Sequence, residues 1–238
     1  MPRLVYIPQL SQLTDDDFSL PQEEGHHLKV LRCKNLEEIL AFDGVGHTRR
    51  ASLTLLHKGN CLHFKEPVQC IQNTAHCSLL MFLPNEPSTF ETILRKACEF
   101  GIKSVYTIFG EHTEKKRWEH WNKRSERFRQ ILIDSCKQAK NPFLPKLFAP
   151  QELTIINFND WDICLYGSLV QKTSTKKLTI RAQDEILCVV GPEGGFSESE
   201  ESFLNSVAIP VRLSPFVLRS ETAVVSLLSF ACFSSRAC

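Results

Sequence analysis

The chain has 238 residues, 42% of them hydrophobic and 23% charged, with a formal net charge of +1. That composition excludes a disordered polymer, and the near balance of charge leaves nucleic-acid binding to be argued only from local patches. Ten cysteines are scattered through apolar segments with no C-x-x-C pair and no metal spacing to the eight histidines, so they read as reduced, mostly buried thiols rather than disulfides or zinc ligands. The N-terminus shows no secretory pattern and no apolar run is long enough to span a bilayer, which gives the expectation of a cytoplasmic protein without a metal.

A chain of this length holds one large core or two modest ones, and the order of elements favours two. Residues 1–70 read as a small β-rich unit. Strands are expected at Leu4–Ile7, Glu38–Phe42, His47–Leu56 and Cys61–Lys65, with turns at Asp43-Gly44 and Lys58-Gly59-Asn60. A short helix is expected over Gln22–Cys33. Arg3, His26, His27, Lys29, Arg32, Arg49 and Arg50 make a local basic excess that as a group suits phosphate, although any one of them could be ordinary solvated surface and the two histidines could be core or cap residues. Residues 66–75 read as a linker.

Beyond it the pattern becomes strand, helix, strand, which implies a parallel sheet covered by helices. His76–Leu83 is an apolar run of strand length. Ser88 and Glu91 have capping-box spacing ahead of Phe90, Ile93, Leu94 and Ala97, and Gly101 is placed to stop that helix. Ile102–Phe109 reads as the next strand. A long or broken helix follows over 113–140, with Trp118, Trp121, Phe128, Ile131 and Leu132 on a core face. Lys116, Lys123, Arg124 and Arg127 lie on the other face, a second candidate RNA contact. Ile163–Gly167 is a further strand. The polar stretch from Ser168 to Asp184, with Lys172, Lys176, Lys177 and Arg181, is either a mobile substrate-contacting connection or a solvated crossover.

Glu185–Val190 and Val207–Leu213 supply the last two strands, and between them lies Gly191-Pro192-Glu193-Gly194-Gly195-Phe196. Three glycines in five residues allow a sharp turn or the close approach of a ligand. The stretch lacks both the Walker and the dinucleotide pattern, so a plain turn without ligand stays open. Ser197 and Glu200 form a second capping-box spacing. Arg219 precedes a helix start near Glu221, and Ala223, Val224, Leu227, Leu228 and Ala231 fall on one helical face. The loops after Tyr166, Val190 and Leu213 all leave the carboxyl ends of strands, where open sheets bind ligands.

The glycine loop, together with Leu218-Arg219-Ser220-Glu221-Thr222-Ala223, resembles the paired signature of the ribosomal small-subunit methyltransferase E family of the SPOUT class. The resemblance extends over His26–Arg32, Phe42-Asp43-Gly44, Phe90-Glu91, Glu99–Ile102, Lys137-Gln138 and Leu144–Leu147. It implies an α/β fold: a PUA-like β-barrel over 1–70 that grips RNA, then a SPOUT domain over 74–238 with a parallel sheet and a C-terminal trefoil knot. The implied reaction is S-adenosylmethionine-dependent methylation of N3 of a uridine in 16S rRNA of the small ribosomal subunit, by a homodimer. The adenosine part is then held by Gly167, Gly191, Gly195, Leu213 and Leu218, with their neighbours Leu165, Val190, Glu193, Gly194, Val217, Thr222 and Ala223. Arg219 would stabilise charge on the uracil oxygens, Glu221 or Glu193 could accept the proton, and Arg3, His27, Lys29 and Arg32 would meet RNA. Glu221 also reads as a helix-start residue and Glu193 as a loop-fixing one.

Ser214, Phe216 and Thr89 depart from that family's pattern, and Lys137 stands where Glu is commoner. Two other readings are a SPOUT methyltransferase acting on a different RNA position and a non-catalytic RNA-binding protein of the same fold.

Overall fold

The computed structural model describes residues 2–21, 24–25, 28, 32–56, 59–169 and 179–236. His26, His27, Lys29, Lys172, Lys176, Lys177 and most of the helix expected over Gln22–Cys33 lie outside the described residues. The chain divides into two compact units, residues 1–74 with 133–144, and residues 75–132 with 145–238.

The first unit is one sheet of six short strands: β1 (Arg3–Tyr6), β2 (Asp17–Ser19), β3 (Glu38–Phe42), β4 (His47–Leu55), β5 (Asn60–Phe64) and β6 (Gln69–Cys70). The spatial order is β1-β3-β4-β5-β2, with β6 on β4; β1 runs parallel to β3 and the other pairs are antiparallel. Val5, Ile7, Leu10, Ile39, Leu53 and Leu62 bury one face as the core. The Asp43-Gly44 turn is closed by the buried Asp43 carboxylate, which accepts N–H groups from Val45 at 2.9 Å and His47 at 3.1 Å, while Gly44 takes φ 85°. Lys137 is buried in this unit and ion-paired with Glu24.

The second unit is a wholly parallel sheet of six strands, β7 (Cys77–Phe82), β8 (Ser104–Ile108), β9 (Lys146–Leu147), β10 (Ile163–Gly167), β11 (Ile186–Val190) and β12 (Ile209–Val211), in the order β12-β10-β11-β7-β8-β9. Every residue of β7 and β11 is buried, as expected of strands covered on both faces. The helices are α1 (Pro87–Phe100), α2 (Trp121–Ala139, of which residues 133–139 count with the first unit), α3 (Glu198–Val207) and α4 (Ser220–Arg236). Helix α4 lays Val224, Leu227, Leu228 and Ala231, all fully buried, against α1 and the strands β10, β11 and β7. Removing about four such side chains from water contributes roughly 1.5–3 kcal/mol for each larger one, enough to hold an otherwise marginal helix in place.

The helix at Pro87 begins differently from its expected start. Pro87 occupies the first turn, Glu86 caps it without a side-chain hydrogen bond, and the capping box proposed for Ser88 and Glu91 is not formed. Glu91 instead receives both Nε and Nη2 of Arg127, at 2.6 and 2.9 Å. Gly101 does end the helix, in the left-handed region at φ 66°. The helical stretch beyond 113 is broken: a 3₁₀ turn over Lys115–Trp118 precedes α2. Its aromatic stripe is core, with Phe90 in edge contact with Trp118 and Phe128, and Trp118 Nε1 donating to Pro84 O at 3.0 Å. The short strands β2, β6 and β9 have two or three residues each and carry no alternation long enough to be read from sequence.

Candidate functional site

Three loops leave the carboxyl ends of β10, β11 and β12 and enclose one cavity of about 380 Å³. Its wall takes Gly167, Ser168 and Leu169 from the first loop, Val190–Phe196 from the second, and Leu213–Leu218 (Pro215 apart), Ser220 and Ala223 from the third loop and the start of α4. Adjacent parallel strands deliver their exits to the same edge, so loops distant in sequence meet there.

Each loop is fixed by identifiable bonds. Behind the glycine loop the Ser197–Glu200 capping box is complete: Ser197 Oγ accepts Glu200 N–H at 3.2 Å and Glu200 Oε2 accepts Ser197 N–H at 2.8 Å. Glu200 Oε1 also takes Glu111 N–H at 2.8 Å. Glu193 Oε2 accepts Asn85 N–H at 2.9 Å, so that carboxylate anchors the loop. Gly195 has φ 75°, and a Cβ on Gly191 would stand 3.2 Å from the Phe196 ring. The third loop is braced by Arg212, whose Nε and Nη2 donate to Ser214 O and Pro215 O at 3.2 and 3.4 Å, and by Ser214 Oγ, which accepts Phe216 N–H at 3.0 Å. Ser220 Oγ donates to Gly191 O at 3.5 Å, tying the second loop to the helix after the third.

Of the expected cofactor residues, Gly167, Val190, Gly191, Glu193, Gly194, Gly195, Leu213, Val217, Leu218 and Ala223 line this cavity together. Leu165 lies fully buried within β10 and Thr222 is exposed on α4; neither is in the wall. Arg219 is exposed between the lining residues Leu218 and Ser220, and Glu221 is in the first turn of α4. Among the described residues the Arg219 guanidinium has no hydrogen-bond or ion-pair partner. Of the expected RNA contacts, Arg3 Nε donates to Glu37 at 2.8 Å, Arg32 is exposed with φ 54°, and His27 and Lys29 lie outside the described residues.

Arg49 does not face solvent with that group. It is buried, donating to Glu66 O, Asp15 O and Asp16 Oδ1 at 2.7–2.8 Å, and its guanidinium lies over the Phe64 ring. Ser168, Leu169, Pro192, Phe196, Glu201, Ser214, Phe216 and Ser220 complete the wall without having been singled out as cofactor residues. For most of them the sequence signal was adjacency to a flagged loop residue; for Glu201, a turn into helix α3, there was none.

A second cavity of about 360 Å³ adjoins the first and shares Ser168 and Glu201 with it. There the buried Tyr166 donates its hydroxyl to Asn205 Oδ1 at 2.8 Å, and burial raises the phenol above its ordinary pKa.

All nine cysteines among the described residues are free thiols. Burial pushes Cys164 up to about 11 and raises Cys188 further, while Cys77 is raised chiefly by its hydrogen bond with Cys232. Asp17, Cys61 and His63 come within 4.8 Å of one another on β2 and β5, a grouping that spacing alone did not suggest; His63 Nδ1 is taken up by Asp17 there.

Fold and cavity together define an open parallel-sheet protein with a cavity at the strand-exit edge whose wall is rich in glycine and apolar residues. Comparison with known proteins makes this specific. Residues 72–231 match the family described as RNA methyltransferase domain, and residues 20–62 match the RNA methyltransferase PUA domain. The chain belongs to this RNA methyltransferase family, alongside the proteins named ribosomal RNA small subunit methyltransferase E.

Among those relatives, the one from Aquifex aeolicus is 32% identical over 142 residues, 59% of this chain and 61% of its own length. That from Buchnera aphidicola subsp. Acyrthosiphon pisum is 29% identical over 231 residues, 89% of this chain and 88% of its own. In fold, the chain is similar to the crystal structure of ribosomal RNA small subunit methyltransferase E from Neisseria gonorrhoeae bound to S-adenosyl methionine. The TM-score is 0.79 at 22% identity, covering 99% of this chain and 98% of that one. A putative methyltransferase from Legionella pneumophila in complex with the same cofactor gives a TM-score of 0.81 at 22% identity, with the same coverage. Among the described residues no helix is long and apolar enough to cross a membrane.

Proposed function

We propose that this protein transfers a methyl group from S-adenosylmethionine to N3 of a uridine in 16S rRNA of the small ribosomal subunit. The observation that carries this reading is the single cavity made by all three strand-exit loops, with Arg219 uncommitted between two of its lining residues. The cavity fits the donor in size and chemistry. Its volume is that of a small-molecule site, and its wall combines four glycines, where a ligand can approach the backbone closely, with the apolar residues Val190, Leu213 and Leu218. When bound, S-adenosylmethionine supplies the electrophilic methyl group.

What this chain's residues contribute is position and electrostatics. The loops hold the acceptor nitrogen and donor in line and exclude water, which is the main requirement of such a displacement. Arg219 stabilises negative charge that develops on the uracil carbonyl oxygens as N3 loses its proton. Glu221, at the start of α4, is the candidate proton acceptor, while Glu193 is occupied in anchoring its loop. The target base is unstacked to reach the cavity. Arg3 and Arg32, with His27 and Lys29, contribute phosphate contacts from the first unit, which acts as a PUA-like barrel.

The same reading takes the second unit, 74–238 in its expected bounds, as a SPOUT domain with a trefoil knot. Support comes from the path after β12, which returns to pack α4 on β11 and β7, with Ser220 bonded to Gly191 O. It also takes the working form as a cytoplasmic homodimer, which sedimentation equilibrium tests. The decisive experiment is mass spectrometry of 16S rRNA fragments after incubation of unmethylated small subunits with the protein and S-adenosylmethionine. The expected result is one added methyl on a uridine base, resistant to exchange at N3. Arg219→Ala should lower turnover by at least about 100-fold, the scale of a lost oxyanion donor, with donor affinity nearly unchanged. Transfer to a ribose hydroxyl or to another base refutes the assignment, and a near-normal rate in Arg219→Ala removes that residue's role.

A further inference from the structure

Apart from Arg219, which stands outside the wall between two lining residues, the charge of the described walls of the two adjoining cavities is one-sided. They contain the carboxylates Glu193, Glu198 and Glu201 and no lysine, arginine or histidine. Of these three, Glu193 lines only the first cavity and is already engaged by Asn85 N–H, and Glu198 lines only the second. Glu201 lines both. It is half-buried, and one of its oxygens, Oε1, accepts the hydroxyl of the buried Ser168 at 3.0 Å. Ser168 is in turn fixed by its own N–H, which donates to Val211 O at 3.1 Å.

An acid in the first turn of α3 would be favoured by the helix dipole alone. Glu198 and Glu200 already supply that, and Glu200 closes the capping box. The dipole therefore explains an acid in this turn but not the aim of this one into the wall shared by the cavities.

Among the described lining residues Glu201 faces no cationic side chain, so its carboxylate is placed to receive positive charge carried by a ligand. We infer that Glu201 is the counter-charge for the cationic half of the bound donor, its sulfonium and α-ammonium groups, and that Ser168 orients the carboxylate for this. The inference rests on the reading that the first cavity binds S-adenosylmethionine. It makes Glu201 a determinant of donor binding: a charged donor is selected over neutral adenosine derivatives that fill the same adenosine site.

The test is isothermal titration of the full-length protein with two probes, S-adenosylmethionine and the neutral 5′-methylthioadenosine, which keeps the adenosine and loses both positive charges. Glu201→Gln retains an acceptor for Ser168 and changes only the charge. It should weaken S-adenosylmethionine by about 10-fold or more, the scale of a charge-assisted contact, while 5′-methylthioadenosine stays within about twofold. Ser168→Ala should show the same selectivity with a smaller loss. An unchanged urea midpoint for both variants shows that they are folded.

Equal losses for the two probes place Glu201 on the ribose or in the loop scaffold and overturn the inference. Unchanged binding of both probes overturns it as well. In either case, wild-type binding leaves the functional reading standing. If the wild-type protein binds neither probe, it is the donor assignment that fails, and the inference falls with it.

Discussion

Replacing Glu200 by alanine tests whether one carboxylate holds the glycine loop to the helix behind it. Two bonds vanish: those from Ser197 N–H and from Glu111 N–H, each 2.8 Å long. A hydrogen bond to a charged acceptor contributes about 1.5–3 kcal/mol where water is excluded, and the part-buried Ser197 amide falls in that range. The Glu111 amide is exposed, so water replaces most of its partner and the loss there is roughly 0.5 kcal/mol. Removing the charge from the helix N-terminus costs about 0.3–1 kcal/mol more.

The expected loss is therefore about 2.3–4.5 kcal/mol for Glu200→Ala, against about 1 kcal/mol for Ser197→Ala, which removes one neutral cap. All three tryptophans, Trp118, Trp121 and Trp161, belong to the second unit. Urea unfolding followed by tryptophan fluorescence thus takes its signal from the unit that holds Ser197 and Glu200. At a slope of about 2–3 kcal/mol per molar urea, the Glu200→Ala midpoint should fall by about 1–2 M. A midpoint within experimental scatter of wild type, or a larger fall in Ser197→Ala, refutes the reasoning.

Gly195→Ala tests the same loop through its backbone. No atom within 4 Å opposes a new Cβ, so the cost should be the left-handed φ of 75° alone, about 1–2 kcal/mol by the same urea assay; Gly195→Asn should lose less. Lys137→Met leaves the Glu24 carboxylate buried without its partner. It should destabilise the first unit by about 3–5 kcal/mol, read as faster amide hydrogen exchange in β3–β5, and Glu24→Gln in the same chain should recover part of the loss. Glu91 is held below the ordinary carboxylate range by its hydrogen bonds from Arg127. A depressed carboxyl pKa adds stability that is complete above the unfolded-state value and fades as pH falls through the lower, folded value. The urea midpoint should accordingly drop more between pH 6 and pH 3 in wild type than in Glu91→Gln, and parallel profiles would exclude the pair as a source of acid lability.

Much of the scaffold was legible in sequence because it depends on local periodicity and on residues with strong backbone preferences. The strand Ile163–Gly167, the capping box at Ser197 and the helix stop at Gly101 are each specified within a few residues. The alternating and helical apolar patterns located β3, β4, β7, β11 and α4 for the same reason. Where local signals competed, sequence reading failed. At residues 86–91, proline in the first turn and a distant arginine drew Glu91 away from capping its own helix. Arg49 reads as a surface cation, yet three acceptors from other segments fold over it and make it a buried structural cation.

What the chain alone determined is the set of glycine-rich and leucine-rich bends that leave three strands, since their conformations are written in residue type. What only the tertiary structure decided is which side chains those bends bring together. The order β12-β10-β11-β7 sets the exits side by side, and the first turn of α3 and the loop after β10 then bring Glu201 and Ser168 together in the cavity wall. The spacing of residues along a strand carries no information about which strand lies next to it. Register and strand order come from packing both faces of the sheet, and the site's charge follows from that packing.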